Sequence, residues 1–350
     1  MSDIITMKNL HVTFQEAQGQ KVYAVRGVDL AVHQGETLAI VGESGSGKSV
    51  TTKALLGLLP PDAKVSADAL TYDDVDLTQL HRKDYDKLRG AELALIFQDP
   101  LSALNPTMKI GKQLAEVLVV HEHLSRATIH ERVLQALADV DLADAPGLLK
   151  KYPHQLSGGQ RQRVVIAMAL IAHPKVLVAD EPTTALDVTL QAQVLALIRQ
   201  QKAQQDLSII FITHDLGVVA NIADRVAIMY AGQIVEVGTA EEIFYDPQHP
   251  YTWALLDAVP DDSAPQDQLF TLPGTPPDLH QEPVGDAFAP RDPYALAIDF
   301  KQAPPRFDIS PTHWAKTWLL DSKAPSYTPP KSIQARWAKW AQLQKEAKHE

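Results

Sequence analysis

Short apolar segments alternate with segments of helical pattern along the first 245 residues. Five apolar segments end in turn residues, at 36–42, 91–99, 175–181, 207–215 and 224–232. Continuous apolar runs of this length are typical of parallel strands that are buried on both faces of a sheet. The pattern therefore predicts an α/β fold with a parallel sheet.

Two regions depart from this alternation. Residues 111–155 have a polar, helical pattern without a strong strand candidate, so we expect a helical subdomain at about 100–160. Beyond residue 247, a large share of the 24 prolines gathers in short stretches, and proline neither donates to a sheet ladder nor continues a helix. We therefore predict one domain over 1–246 and a loop-rich, proline-rich C-terminal extension over 247–350.

The extension is expected to end in a helix at about 331–347. Trp337 and Trp340 lie three residues apart there, which gives the helix one apolar face. We expect this face to pack on the extension itself, with a partner protein as the alternative.

Composition narrows the class of protein. The hydrophobic fraction of 45% and charged fraction of 21% are those of a soluble globular protein. The absence of cysteine excludes disulfides, thiolate metal sites and iron–sulfur clusters, and fits a cytosolic location. A net charge of −11 argues against a nucleic acid partner, because such binding depends on clustered Lys and Arg.

The N-terminus has no signal-peptide pattern. The longest apolar run, 164–172, is far shorter than the ~20 residues of a membrane span.

A phosphate-binding loop follows the first apolar segment. The sequence GESGSGKS reads Gly42-x4-Gly47-Lys48-Ser49 and stands between a strand pattern and a helix pattern. Glycines let backbone N–H groups surround phosphates, the lysine neutralises them, and the serine reaches Mg²⁺. A flexible Gly-Ser turn is the structural alternative. The predicted nucleotide-binding residues of this loop are Gly42, Glu43, Ser44, Gly45, Ser46, Gly47, Lys48, Ser49 and Val50.

Polar residues follow three other predicted strands. Asp180 can hold Mg²⁺ and Glu181 can polarise an attacking water, although a strand end that meets solvent explains the pair equally simply. His214 can hold the γ-phosphate and orient water, or serve as a structural hydrogen-bonding residue. Gln98 can contact Mg²⁺ or the water, or merely cap its strand.

A second glycine-rich helix start is LSGGQ, at 156–160. Ser157 and Gln160 have the spacing of a capping box, which explains them without any ligand. A capping box does not explain Gly158 and Gly159, because each glycine costs ~1 kcal/mol against alanine inside a helix. The two glycines indicate that something large approaches the backbone here.

Together these motifs resemble the ATP-binding subunits of ABC transporters. The resemblance covers about 3–245, with six motifs in the family's order: GESGSGKS as Walker A, Gln98 as the Q-loop, LSGGQ as the signature, VLVADE as Walker B, TALD with Asp187 as the D-loop, and His214 as the switch histidine. It implies a RecA-like α/β core, an antiparallel β subdomain and a helical signature subdomain. It further implies ATP and Mg²⁺ as ligands, with Ser49, Gln98 and Asp180 at the metal and Glu181, His214 and Gln98 in catalysis. Phe14 stands where an aromatic residue stacks on adenine, with Tyr23 as the weaker candidate.

The resemblance also gives the signature a role. In this family two cassettes pair head to tail, so that Ser157 and its neighbours contact ATP bound to the partner chain. Closure and opening of the pair drive membrane subunits. A chain with one cassette therefore implies a dimer.

The segments around FQDPLSALNP, FYDPQHPYTW and LPGTPPDL resemble the oligopeptide and dipeptide importer branch. This implies two membrane permeases, an extracellular peptide-binding protein, a second and related ATPase subunit, and a peripheral location at the cytoplasmic face of the cell membrane. Many relatives have cysteines that can hold an iron–sulfur cluster where this chain has Asp286 and Asp292, and we expect solvated aspartates here rather than a carboxylate metal site.

Several alternatives stay open. A dipeptide or nickel cargo fits the same branch, and the second ATPase subunit could be another copy of this chain. A soluble ABC ATPase that acts on ribosomes or DNA usually has two cassettes or a long coiled-coil insertion, whereas this chain has one cassette, no sustained heptads and a net charge of −11. A P-loop kinase would leave the signature unexplained.

Overall fold

The computed structural model describes residues 2–16, 19–97, 99, 103–142, 144–184, 187–258 and 272–346. Its strands are β1 Asp3–Gln15, β2 Lys21–His33, β3 Thr37–Val41, β4 Ala63–Ser66, β5 Ala69–Tyr72, β6 Val75–Asp76, β7 Leu93–Ile96, β8 Val176–Asp180, β9 Ser208–Thr213, β10 Arg225–Tyr230, β11 Gln233–Thr239, β12 Phe307–Asp308 and β13 Trp314–Ala315. Its α-helices are α1 Lys48–Leu55, α2 Arg82–Leu88, α3 Ile110–His121, α4 Arg126–Asp139, α5 Ala145–Leu148, α6 Gly158–Leu170, α7 Val188–Gln204, α8 Leu216–Ile222, α9 Ala240–Tyr245, α10 Pro250–Asp257 and α11 Lys331–Glu346.

The larger sheet is built around the five predicted strands. Its order is β12-β13-β11-β10-β3-β9-β8-β7, and the five strands from β10 to β7 run parallel. Strands β3, β8 and β9 are buried at every position, because helices or the second sheet cover both of their faces. The predicted parallel sheet is therefore confirmed.

The smaller sheet is antiparallel and has the order β2-β1-β5-β6, with β4 also paired to β1. The long β1–β2 hairpin forms most of it, and its inward side chains, among them Ile5, Val12 and Val25, have no exposed surface. They share one apolar core with residues of β3 and α1. This core places the hairpin against the start of α1, where the phosphate-binding loop lies.

Helices α3 to α6 form the helical subdomain that the sequence predicted. Their apolar faces pack in one cluster with residues of β7, β8, β9 and α7. Helix α6 starts at Gly158, and its capping box of Ser157 and Gln160 is present in full. The start of α6 is thus capped by its own side chains.

The C-terminal extension continues the larger sheet, which the sequence analysis did not anticipate. Strand β13 pairs antiparallel with β11, and Trp314 of β13 is buried in the core shared by the two sheets. Strands β12 and β13 have only two residues each, so they fit between proline-rich stretches without placing a proline in the ladder. The domain boundary at 246/247 stays a prediction.

A buried carboxylate anchors the extension to this edge. Glu236 of β11 has no exposed surface and accepts hydrogen bonds from His249 N at 3.0 Å and Gln248 N at 2.7 Å. Its carboxylate also lies 2.8 Å from His313 Nε2, just before β13. Burial acts to lower the pKa of His313, but the bond to Glu236 and the surrounding carboxylates raise it above its ordinary value. A charged pair at this position favours the docked extension.

The final helix packs on the extension, as predicted for its tryptophans. The Trp337 ring lies 6.0 Å from that of Trp253, and its Nε1 donates to Pro247 O at 3.0 Å. Trp340 is half-buried. Over the described part of the chain, no helix combines the length and apolarity that a bilayer span requires.

Candidate functional site

The predicted chemical residues meet at the carboxyl ends of three neighbouring strands. Strand β9 lies between β3 and β8, with Val41 opposite Thr213 and Asp180 opposite Ile212. The phosphate-binding loop follows β3, Glu181 follows β8 and His214 follows β9. Open parallel sheets bind ligands in the crevice beyond these strand ends.

Close backbone packing requires glycine at two positions of the phosphate-binding loop. A Cβ on Gly42 would lie 2.1 Å from Met229 O, and one on Gly47 would lie 2.6 Å from Ala24 O. Gly45 and Gly47 also have φ values of 79° and 104°, in the left-handed region that favours glycine. Because Gly47 has no side chain to cap α1, the first amide groups of that helix remain for a ligand.

Lys48 lies inside the loop. Its Nζ donates to Gly42 O at 2.8 Å and to Glu43 O at 2.9 Å. Burial lowers the pKa of Lys48, while the carboxylates of Glu181, Asp180 and Glu43 oppose that shift. A buried ammonium that donates to two backbone carbonyls is well placed to bind an anionic phosphate.

The two predicted metal ligands are in contact, since Ser49 Oγ donates to Asp180 Oδ1 at 2.7 Å. Burial raises the pKa of Asp180 above its ordinary value, although the bond from Ser49 lowers it. A hydroxyl and a buried carboxylate at a phosphate site are the hard oxygen ligands that Mg²⁺ prefers. The residues therefore fit Mg²⁺ held between the loop and β8.

Glu181 and His214 lie side by side next to this pair. His214 Nδ1 is 3.4 Å from Glu181 Oε1, and Thr184 Oγ1 donates to Glu181 Oε2 at 2.9 Å. Glu181 has a φ of 47°, which is unusual for a residue with a side chain and is typical of strained functional positions. Its side chain is 14% exposed and that of His214 is 54% exposed, so the pair faces an open crevice.

Other predicted site residues lie elsewhere or outside the described structure. Gln98 lies outside the described residues, so its place at the metal stays a prediction. Asp187 caps α7 by accepting from Leu190 N at 2.8 Å. Phe14 packs partly against the shared core, and Tyr23 lies opposite Thr13 on the same hairpin. Either ring is near enough to the hairpin end to remain a candidate for stacking on adenine.

Two residues of the signature face outward. Ser157 and Gly158 are exposed, and a Cβ on Gly158 would meet no atom within 4 Å. Gly159 differs, because a Cβ there would lie 3.1 Å from Leu190 of α7. Packing within the chain thus explains one of the two glycines and leaves Gly158 facing open space.

The structure adds contacts that the sequence did not indicate. Arg291 and Tyr251 of the extension both bond to Glu43 of the phosphate-binding loop. They are more than 200 positions from Glu43, so no local pattern could have predicted these contacts.

Asp286 and Asp292 are partly buried, which corrects the expectation that they are ordinary solvated aspartates. Burial raises the pKa of Asp286 to about 7 and that of Asp292 to about 6. Each carboxylate accepts from the backbone N–H two residues later, Phe288 and Tyr294 respectively. Among the described residues no group of three or more His, Asp or Glu is arranged to hold a metal ion.

Comparison with known proteins places this site in a family. A family model described as ABC transporter matches residues 25–184, and another described as oligopeptide/dipeptide transporter, C-terminal region, matches residues 235–298. The dipeptide transport ATP-binding protein DppD of Lactococcus lactis subsp. cremoris is 53% identical over 341 residues, 97% of this chain and 97% of that protein. The oligopeptide transport ATP-binding protein OppD of Bacillus subtilis is 52% identical over 340 residues, 97% of this chain and 95% of that protein. Among solved structures, a dimeric post-hydrolysis state of the ATP-binding cassette MJ0796 bound to ADP and Pi covers 67% of this chain and 98% of that one, with 26% identity and a TM-score of 0.58.

Proposed function

This chain belongs to the ABC transporter family, in the branch of oligopeptide and dipeptide transport ATP-binding proteins, and on that premise we propose that it hydrolyses ATP to energise an oligopeptide importer. The observation that carries the proposal is the convergence of Lys48, Ser49, Asp180, Glu181 and His214 beyond β3, β8 and β9. Dipeptide or nickel import by the same machinery is the alternative cargo.

The geometry supports a division of roles. The amide groups of residues 42–49 and the Lys48 ammonium bind the β- and γ-phosphates of ATP. Ser49, Asp180 and Gln98 would hold Mg²⁺, which would supply charge neutralisation at these phosphates.

Glu181 acts on the attacking water as general base, and His214 beside it orients the γ-phosphate and that water. Thr184 fixes one Glu181 oxygen, so the other faces His214. Position and charge at pre-arranged groups are the main sources of catalysis in phosphoryl transfer.

The open face of Gly158 supports a dimeric assembly in which each signature covers ATP on the other chain. Ser157 Oγ accepts from Gln160 N and the Gln160 side chain accepts from Ser157 N, and the Ser157 hydroxyl still has a hydrogen to donate to a partner's phosphate. Asp187 is exposed at the start of α7 and follows Glu181 closely in the sequence. We propose that it contacts the partner chain. We propose a related but different ATPase chain as that partner.

An exposed apolar groove supports binding to a membrane subunit. The groove has a volume of about 470 Å³ and lies between β7 and helices α3 and α6. Phe97, which directly precedes the Q-loop position, is 43% exposed, and Val120 is 67% exposed. Exposed apolar patches of this kind mark protein interaction sites. We propose that one of two permease subunits docks here, at the cytoplasmic face of the membrane, and that the two permeases receive peptide from an extracellular binding protein.

The first test combines one substitution with one purification. Lys48→Ala removes the ammonium that the site offers to phosphate, so we expect ATP affinity to fall by on the order of 100-fold. Lys87→Ala, an exposed lysine on α2, is the matched control and should bind ATP like the original chain. Fluorescence titration with an N-methylanthraniloyl derivative of ATP measures both.

Purification of the tagged chain from gently solubilised membranes, followed by mass spectrometry, identifies the partners. Two permeases with a second, similar ATPase would support the proposed assembly. Permeases with this chain alone would replace the heterodimer by a homodimer. Ribosomal proteins without a permease would refute the transport function.

A further inference from the structure

We propose that Arg291, a residue of the C-terminal extension, is a positioning residue of the ATP site because it neutralises and holds Glu43 of the phosphate-binding loop. This inference rests on the proposed function, since it takes residues 42–49 to be the place where ATP phosphates bind. It assigns to the extension a direct part in nucleotide binding.

The contact between Arg291 and Glu43 is a two-pronged ion pair. Arg291 Nη1 donates to Glu43 Oε2 at 2.7 Å, and Nη2 donates to Glu43 Oε1 at 3.0 Å. The Arg291 side chain is 5% exposed and that of Glu43 is 26% exposed. Bidentate pairs of this kind are the most directional ion pairs in proteins, and partial burial protects this one from screening by salt.

The arginine is itself fixed on every side. Its Nε donates to Pro273 O at 2.9 Å, and Nη1 also donates to Tyr230 Oη at 3.1 Å. Tyr230 ends β10 and packs against Tyr251 and Phe288 of the extension, with ring centres 4.6 Å and 5.3 Å away. Arg291 therefore reaches the loop from a rigid aromatic cluster.

A second extension residue holds the backbone of Glu43. Glu43 N donates to Tyr251 Oη at 2.8 Å, and Tyr251 has no exposed surface. The extension thus binds Glu43 through its carboxylate and through its amide.

Glu43 connects this clamp to the phosphate-binding lysine. Its carbonyl oxygen accepts from Lys48 Nζ at 2.9 Å and from Ser46 N at 3.2 Å. Its carboxylate is one of three whose charge acts on Lys48. Glu43 is therefore close enough to the phosphate site for its charge to matter there, and an unpaired carboxylate at that position would repel ATP.

The same part of the extension contacts the hairpin that carries the adenine candidates. Tyr23 N donates to Leu279 O at 2.9 Å, and His280 Nε2 lies 3.5 Å from Glu16 Oε1. One segment thus holds both the phosphate-binding loop and the hairpin of Phe14 and Tyr23.

The test separates charge from simple packing by a double-mutant cycle on the full chain. Arg291→Gln leaves Glu43 charged and unpaired, so we expect affinity for N-methylanthraniloyl-ATP to fall on the order of 10-fold. Combining Arg291→Gln with Glu43→Gln removes the unpaired charge and should recover most of that loss. The KM for ATP should follow the same pattern, with kcat changing by less than the KM does.

Arg306→Gln is the matched control, because Arg306 is an extension arginine paired with Asp308 at 2.6 Å, within the extension itself. It should leave nucleotide affinity unchanged. Arg291→Lys keeps the charge but loses the two-pronged geometry, and an intermediate affinity is expected.

Equal affinity in Arg291→Gln and the original chain would overturn the proposal. A double variant as weak as Arg291→Gln would also overturn it, because lost packing rather than unpaired charge would then be the cause. If Arg291→Gln does not fold, Arg291→Lys with and without Glu43→Gln gives the same comparison. Failure of the original chain to bind the nucleotide, or binding unaffected by Lys48→Ala, would instead refute the proposed function itself.

Discussion

Two glycine-rich helix starts, at 42–49 and at 157–160, differ in what surrounds their glycines. At the first, Gly42 and Gly47 lie against the backbone oxygens of Met229 and Ala24, and the chain itself encloses the loop. At the second, Gly158 faces open space. We propose that the first binds phosphate within its own chain, and that the second contacts another molecule.

The helix caps show the same contrast. Gly47 cannot cap α1, so the first amides of that helix stay available to phosphate. Ser157 and Gln160 cap α6 through both bonds of a capping box, so this helix start is stable without a ligand. A segment that is exposed and already capped is suited to contact a nucleotide bound by another chain.

The largest effect on ATP turnover is expected at Glu181, which lies beside the first of these helix starts. Glu181→Gln removes the proposed general base and should lower ATP turnover by about 10²- to 10⁴-fold while ATP still binds and holds the dimer closed. Phosphate release and gel filtration in ATP measure the two effects. Glu241→Gln, an exposed carboxylate on α9, is the control. Unchanged turnover in Glu181→Gln would refute its assignment as the base.

Equivalent glycine substitutions should separate the two helix starts. Gly47→Ala places a Cβ 2.6 Å from Ala24 O at a φ of 104°, so we expect the free energy of unfolding to fall on the order of 2 kcal/mol. Gly158→Ala meets no atom of the chain, and its effect on unfolding should stay below ~1 kcal/mol.

Gly158→Ala should nevertheless slow hydrolysis, because its methyl group occupies the space proposed for the partner's nucleotide. Denaturant unfolding measures the stability of the Gly47→Ala and Gly158→Ala variants, and phosphate release measures their ATP hydrolysis. A large loss of stability in Gly158→Ala, or full hydrolysis by it, would contradict the contrast between the two segments.

The smallest change in total activity is expected in mixed dimers. Ser157→Arg in one of two chains should leave ATP binding by that chain intact and abolish hydrolysis at the opposite site, so turnover falls about twofold relative to an unaltered pair. Ser125→Arg replaces another serine helix cap, at α4, and should not change turnover. A mixed dimer with both sites active would exclude the proposed arrangement across chains.

Much of the catalytic centre was accessible from the sequence because each motif is local. Strands β3, β8 and β9 read as continuous apolar runs, and the residue after each run carries chemistry. Strand β11 was missed, since its buried Glu236 interrupts the apolar pattern and is stabilised by partners beyond the strand, among them His249 N and His313. Strands β12 and β13 have two residues each, too few for any periodic pattern.

By itself, the sequence determined the parallel sheet, the phosphate-binding loop, the capped signature helix and the absence of any thiolate-held cluster, because these depend on residue type and short-range spacing. Only the tertiary structure decided that Gly158 faces open space while Gly159 packs on Leu190, and that Asp286 and Asp292 are partly buried. It alone brought Arg291 of the extension to Glu43, 248 positions earlier in the chain. Contacts between residues so far apart in sequence depend on how sheets and loops pack, and short-range sequence patterns do not predict that packing.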